Sequence, residues 1–307
     1  MKEAEAMTLV AETLGMQPIA AIPQPFGHCS VTYEVVLPGR SVMVRMNEDA
    51  QVFATTRNNL DVLAGLGLPT PTVLAVDLTR RHVPFAYMLL DKIPGRDLRY
   101  ELGAMSFEQM TRLAAQIVAF QRQVGRLPSG RGYGYVGIGE TGPYASWWDV
   151  VARESALGDA QADDGTDPWR IRVRRQRKRL EPYLRSVPPT CFLDDITVKN
   201  VIVQDGALQG LVDFDCVCYG DPLFWLALTA IGVVSDVGMR ELFYVEELKR
   251  LWELTPDREE ALALYSAGMA LDFLGRFSAS ETPEWNRRMS AALEHWLSLA
   301  EQEHRDG

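Results

Sequence analysis

Apolar and polar positions divide the chain into two textures. From about Ile22 to Asp91 the segments are short, β-branched and punctuated by turns. VTYEVVL (31–37), Pro38-Gly39-Arg40 and SVMVRM (41–46) predict a strand, a tight turn and a second strand. Gln51 to Leu66 carries apolar residues at Val52, Phe53, Leu60, Leu63 and Leu66 and predicts a helix. PTPTVLAVDLT (69–79) and VPFAYMLLDKI (83–93) predict two further strands, ended by Pro94-Gly95. Beyond Gly95 the period lengthens. Met110, Leu113, Ala114, Ile117, Val118, Gln121 and Val124 follow the i, i+3, i+4, i+7 rule, with Gln121 as a polar exception. Ser155 to Pro168 predicts an exposed loop, followed by a basic helix. From Phe192 to Asp215 the β texture returns as VIV, QDGA and LQGLVDF, a hairpin with a Gly-containing turn, and Leu223 to Arg305 is again helical. The pattern is that of an α+β chain with a small sheet-rich lobe and a larger helical lobe.

Composition narrows the class. With 307 residues, 47% hydrophobic and 23% charged, the chain is an ordinary globular protein, which excludes a disordered tail, a collagen-like fibre and a disulfide scaffold. The length predicts two domains, or one domain with two lobes. The net charge of 31 − 41 = −10 argues against nucleic acid as the main partner and suits a cationic small molecule. The four cysteines form no C-x-x-C pair and, with four histidines, give no zinc-ligand spacing. MKEAEAM lacks the order of a signal peptide, and the longest uncharged apolar run, Pro222 to Ser235, is 14 residues, short of a membrane span. A cytoplasmic protein with reduced thiols is predicted.

Candidate chemistry concentrates in Cys191 to Pro222, CFLDDITVKNVIVQDGALQGLVDFDCVCYGDP. Asp195 is followed five residues on by Asn200 and thirteen beyond that by Asp213. This is the spacing of a D-x-x-x-x-N catalytic loop and a following D-F segment in phosphoryl transfer. A carboxylate is needed to orient the acceptor hydroxyl and take its proton, and Asp195 suits that role. Mg²⁺ prefers oxygen ligands, which Asn200 and Asp213 offer, and the hairpin between them would return both to one metal cluster. Asp and Asn also decorate ordinary turns; the residues that follow shift the balance.

Asp195-x4-Asn200, VIV, a short Gly turn, LVDFD and then Tyr219-Gly220-Asp221-Pro222 resemble the aminoglycoside phosphotransferase family, kinase-like enzymes that include choline, homoserine and fructosamine kinases. The separation of 18 residues between the two aspartates (213 − 195 = 18) and the position of G-D-P match. Gly27 to Val35 is similar to the family's nucleotide-covering hairpin, which implies a place for Ser30 near phosphate. Gly67-Leu68-Pro69-Thr70-Pro71 resembles the segment after the first-lobe helix, and Tyr87 to Gly95 resembles the hinge. By that likeness the backbones of Asp91 and Ile93 face the adenine edge beneath Leu90, and Arg45 takes the place of the nucleotide-lobe cation. The resemblance implies a protein-kinase-like two-lobed α+β fold. Residues 1–91 would be the nucleotide-binding lobe, and residues 92–307 a mostly helical lobe with the catalytic loop and acceptor site. It further implies a small-molecule kinase that uses ATP or GTP with Mg²⁺ to phosphorylate a hydroxyl. Asp195 would be the base, Asn200 and Asp213 the metal ligands, and aminoglycoside-like or other cationic molecules would stand among the acceptors.

Four departures accompany the likeness. Leu193-Asp194 stands where the family has His-Gly, and Arg45 stands where a lysine is usual. Thr56, Arg57, Asn58 and Asn59 occupy the place of a helix glutamate that pairs with that cation, and Trp225 that of an acidic residue after G-D-P. They keep open a second reading, a catalytically silent pseudokinase that binds nucleotide or serves as a scaffold. Arg170 to Arg179 holds seven cationic residues in ten, either a polyanion patch or a solvated helix face. Trp147 and Trp148 either line an acceptor pocket or pack in the core. Asp215 either approaches the metal or shapes its loop. Cys216 and Cys218 read as small hydrophobes, and His28 as an exposed side chain.

Overall fold

The computed structural model describes residues 2–24, 30–153, 167–238 and 241–302. The chain divides into two compact units: Met1–Gly95 together with Gln209–Cys216, and Arg96–Leu208 together with Val217–Gly307. The sequence pattern drew its boundary between residues 91 and 92; contacts draw it at Gly95 and assign residues 209–216 to the first unit.

The first unit contains α1 (Glu3–Leu14), β1 (Ala20–Gln24), β2 (Val31–Leu37), β3 (Arg40–Asn47), α2 (Ala50–Gly65), β4 (Val73–Asp77) and β5 (Ala86–Asp91). The strands form one antiparallel sheet in the order β1-β2-β3-β5-β4. Period-two alternation along β3 buries Val42, Val44 and Met46 on one face, where they pack with Val35, Leu37 and Leu89 and with Ala6, Leu9 and Val10 of α1. Arg45 belongs to the opposite face, and its guanidinium lies 5.7 Å from the ring centroid of Phe53 of α2. The expected strand–turn–strand and the expected helix at 51–66 are all present. Helix α1 and the edge strand β1 are additional to the predicted elements; α1 buries Ala6, Leu9 and Val10 at i, i+3 and i+4.

The second unit begins with β6 (Arg96–Asp97), α3 (Leu98–Glu101), α4 (Phe107–Val124), β7 (Gly134–Val136), α5 (Trp147–Arg153), α6 (Pro168–Arg179), α7 (Glu181–Ser186) and β8 (Thr190–Phe192). It continues with β9 (Val201–Gln204), β10 (Ala207–Leu211), whose last residues belong to the first unit, and β11 (Val217–Gly220). Four helices complete it: α8 (Leu223–Asp236), α9 (Leu242–Trp252), α10 (Pro256–Phe277) and α11 (Pro283–Gln302). The expected hairpin is β9, a turn at Asp205-Gly206 and β10; both turn residues have positive φ (53° and 72°), as a two-residue hairpin turn of this hand requires. The uncharged run from Pro222 becomes α8, which is buried on almost every side. Among the described residues no helix is long and apolar enough to cross a membrane. Most of the expected loop at 155–168, and the last three residues of the expected C-terminal helix, lie outside the described residues.

Candidate active site

Within the second unit, residues 193–200 link β8 to β9 and are pinned at four backbone points. Gln121, the polar exception of α4, clasps Leu193 from both sides: its Nε2 donates to Leu193 O at 2.6 Å and its Oε1 accepts from Leu193 N at 3.0 Å. Thr229 Oγ1 of α8 lies 3.1 Å from Ile196 O. The Arg99 N–H donates to Val198 O at 2.9 Å, and the Asn200 N–H to Thr197 O at 3.1 Å. Leu193, Ile196 and Val198 are buried, so the loop is also anchored by side chains. In this frame Thr197 Oγ1 donates to Asp195 Oδ1 at 3.2 Å, and Asn200 Nδ2 donates to Asp195 O at 2.9 Å. The structure thus joins Asp195 and Asn200. Support for the loop where the family has His-Gly comes from Gln121 acting on the Leu193 backbone. The clue in the sequence was a glutamine in an apolar stripe.

Replacing Gln121 by Leu leaves a buried N–H and C=O of Leu193 without their partner, each worth about 1–3 kcal/mol. We expect a stability loss of about 2–4 kcal/mol in urea denaturation, together with reduced turnover; an unchanged midpoint would contradict the clasp.

Within the first unit, Arg45 meets Asp215 in a two-pronged contact, Nη1 to Oδ1 at 2.7 Å and Nη2 to Oδ2 at 2.6 Å. Arg45 Nη2 also lies 3.4 Å from Ser30 Oγ, which brings these two candidate phosphate-binding residues together. Thr56 Oγ1 is 2.8 Å from Asp215 Oδ1, and Asn59 Nδ2 donates to Phe214 O at 2.9 Å. Thr56 and Asn59 occupy core positions of α2 between Phe53 and Leu60, buried polar residues in an apolar register. Burial would raise the Asp215 pKa, but Arg45 and Thr56 outweigh it and hold the carboxyl below its usual range. The helix glutamate that the pattern lacked is therefore matched by an acid from elsewhere in the chain.

Asp213 has φ 69°, a left-handed conformation that a non-glycine residue adopts only where its surroundings impose it. Desolvation by the surrounding chain, and then the neighbouring charge of Asp215, push its pKa up, against the pull of Arg45. A carboxylate crowded by a second one in this way gains from a nearby cation, and Asp and Asn supply hard oxygen donors of the kind Mg²⁺ takes. Among the described residues no cluster of three or more His, Cys, Asp or Glu side chains could hold a metal ion.

At the end of β5, Leu90 is buried and the Asp91 N–H donates to Thr72 O at 2.9 Å. Ile93 lies against the 209–216 segment: a Cβ on Gly210 would come within 2.5 Å of Ile93 Cδ1 and 2.7 Å of Pro69 O, so only glycine fits there. Leu211 N–H donates to Pro69 O at 2.9 Å. Gly27, His28 and Cys29 of the expected nucleotide-covering hairpin lie outside the described residues.

The remaining candidates serve the framework. Asp221 accepts from Tyr183 (2.8 Å), Tyr265 (2.9 Å) and the Leu223 N–H (3.1 Å); its pKa is raised by burial. Trp147 is fully buried and donates to Tyr265 at 2.8 Å, which makes it a core residue. Trp148 has Arg177, Lys178 and Arg185 at 5.4–5.9 Å from its ring. Trp225 packs edge-on to Trp252 at 5.8 Å, so the place of the family's acidic residue is spent on the core. The basic helix α6 is held by acids: Arg172 by Glu294 and Glu301, Arg179 by Glu260, and Lys178 by Glu181. Among the described residues Cys191, Cys216 and Cys218 form no disulfide; burial pushes the Cys191 thiol up to about 12.

A small antiparallel sheet unit and a mostly helical unit that carries an Asp-Asn loop define a small-molecule phosphotransferase of protein-kinase-like fold. The sequence matches the phosphotransferase enzyme family over residues 24–265, and the chain belongs to that family. A comparison with curated protein sequences found no match. Among solved structures, it is similar to a thermostable mutant of aminoglycoside phosphotransferase APH(4)-Ia in complex with ADP and hygromycin B. The identity is 18% and the TM-score 0.68, with 97% of this chain and 99% of that one covered. It is similar to APH(2″)-IIIa with GDP and kanamycin (13%, 0.68, 96% and 99%). A putative fructosamine-3-kinase from Thermobifida fusca shares 17% identity at TM-score 0.58, over 94% of this chain and 98% of that one.

Proposed function

We propose that this protein transfers the γ-phosphoryl group of ATP or GTP to a hydroxyl of a small, cationic acceptor of the aminoglycoside kind. In this reading residues 1–91 bind nucleotide, with Arg45 and Ser30 at the phosphates and Leu90, Asp91 and Ile93 at the base; residues 92–307 carry the catalytic loop and bind the acceptor. Asp195 orients the acceptor hydroxyl and takes its proton. Asn200 and Asp213 hold Mg²⁺. The bond from Asn200 Nδ2 to Asp195 O identifies the nitrogen end of that amide and leaves the oxygen end for a hard cation. Bound there, Mg²⁺ supplies charge neutralisation on the transferred group. The nucleotide and aminoglycoside complexes of the similar structures support the substrate pair. The net charge of −10 suits a polycation, and we place the protein in the cytoplasm.

The observation that carries this reading is the rigid presentation of Asp195: its loop is held through backbone atoms of Leu193, Ile196 and Val198, beside the Asn200 that closes on the Asp195 carbonyl. The silent-scaffold alternative rested on the missing helix glutamate and the missing His-Gly. Asp215 and Gln121 offer other partners for Arg45 and for the loop. Calorimetric titration of ATP and GTP with and without Mg²⁺ tests the nucleotide half. Mg²⁺-dependent binding in the micromolar range is expected, followed by ADP or GDP release with an aminoglycoside panel. Binding without turnover on any acceptor favours the scaffold, and no binding of either nucleotide overturns the proposal.

A further inference from the structure

The charge partner of Arg45 comes from the same tripeptide as the proposed metal ligand. Alternation along β3 turns Arg45 towards the face covered by Phe53 of α2. Nearby on α2 stand Thr56, Arg57, Asn58 and Asn59, with no acid among them. The acid is Asp215, 170 residues away in sequence, which meets both terminal nitrogens of the guanidinium. The side chains of Arg45 and Asp215 are only 13% and 20% exposed, so this is a largely desolvated pair rather than a surface contact. Helix α2 takes a different part. Thr56 Oγ1 touches the Asp215 carboxylate and Asn59 holds the carbonyl of Phe214, so the helix grips the segment rather than the cation. Asp213, one residue before Phe214, is held in its left-handed conformation.

We propose that Asp215 is the positioning residue for Arg45 and that the Asp213–Phe214–Asp215 segment sets the phosphate-binding cation and the metal carboxylate as one unit. This rests on the phosphotransferase reading above. A guanidinium is needed because it can meet both carboxylate oxygens and still present further N–H groups to phosphate, which a lysine ammonium cannot do in the same geometry. Since one segment holds both groups, disturbing Asp215 weakens nucleotide binding and raises the Mg²⁺ requirement together. A purely structural residue would lower the melting temperature and leave both unchanged in the folded fraction.

The test is a double-mutant cycle on the full chain, with Arg45→Ala, Asp215→Asn and the double variant, read by calorimetric titration of ATP and GTP over a range of Mg²⁺ concentrations. Asp215→Asn is expected to raise the nucleotide dissociation constant by about 10–100-fold, the range for a hydrogen bond to a charged group. The Mg²⁺ needed for half-maximal binding should rise with it. The double variant should bind no worse than Arg45→Ala alone, because the two residues act as a pair. Should Asp215→Asn fail to fold, Asp215→Glu keeps the charge and displaces the fork by one methylene; it should raise the dissociation constant at an unchanged melting temperature. Additive losses, or Asp215 variants that bind as the parent does, overturn the positioning role alone. A parent chain that binds neither nucleotide instead overturns the phosphotransferase reading, and the positioning role with it.

Discussion

Asp195→Ala is expected to lower kcat by about 10²–10⁴-fold, the usual contribution of a positioned general base, while KM for the nucleotide and the melting temperature stay close to those of the parent. The selectivity follows from how the loop is held. Gln121, Thr229, Arg99 and Asn200 all engage backbone atoms of residues 193–198, and none of these bonds uses the Asp195 carboxylate. Removing it forfeits the 3.2 Å bond from Thr197 but leaves those backbone anchors in place. The remaining loop still presents Asn200. Nucleotide turnover measured with the best acceptor of the panel, beside thermal melting of the same sample, decides the matter. A variant that keeps the parental rate removes Asp195 from the chemistry; one that loses rate only by unfolding makes it structural.

Gly220→Ala should have the largest effect on stability. A Cβ at this position would lie 2.1 Å from Cε3 and 2.3 Å from Cζ3 of Trp147, far inside van der Waals contact. The indole has nowhere to go. It is fully buried, with Phe192, Phe224 and Tyr265 edge-on at 6.2, 5.4 and 6.5 Å. Its N–H is bonded to Tyr265, whose hydroxyl in turn reaches Asp221. Overpacking a tight core costs about 1–3 kcal/mol and occasionally more, and here any retreat of the ring also disturbs a buried hydrogen-bond chain. We expect a loss of about 3 kcal/mol or more, a fall in melting temperature of roughly 6–12 °C, or failure to accumulate folded protein. Gly65→Ala is the control, since its Cβ would meet nothing within 4 Å. Equal melting of the two variants would refute the steric account.

These two positions also show how much of the site the sequence carried. Asp195, Asn200 and Asp213 stood out as candidates because phosphoryl transfer calls for fixed oxygen types at short, fixed spacings along one stretch of chain. Gly220 and Asp221 were legible as part of a pattern, but their reason was not: it lies in Trp147, Tyr183 and Tyr265, on three other helices. Gln121 stood out as a polar residue in an apolar stripe without revealing that Leu193 was its partner. Asp215 carried two readings, and neither contained its contact with Arg45. The basic helix gave the opposite lesson. Seven cations in ten residues suggest a polyanion site until Glu260, Glu294 and Glu301 are seen against it.

The sequence by itself determined the local structure and the chemical inventory. Alternation specified β2 and β3, the 3.6-residue period specified α4, and the Asp-Gly turn specified the β9–β10 hairpin, because each is set by neighbours a few residues apart. The tertiary structure alone decided which polar groups became partners. The Arg45–Asp215 pair, the Gln121 clasp and the Asp221 network join residues 38 to 170 positions apart. Such pairings exist only once the core has closed and made an unpartnered polar group costly. No local pattern encodes them, since the same side chains in an open chain would each be satisfied by water.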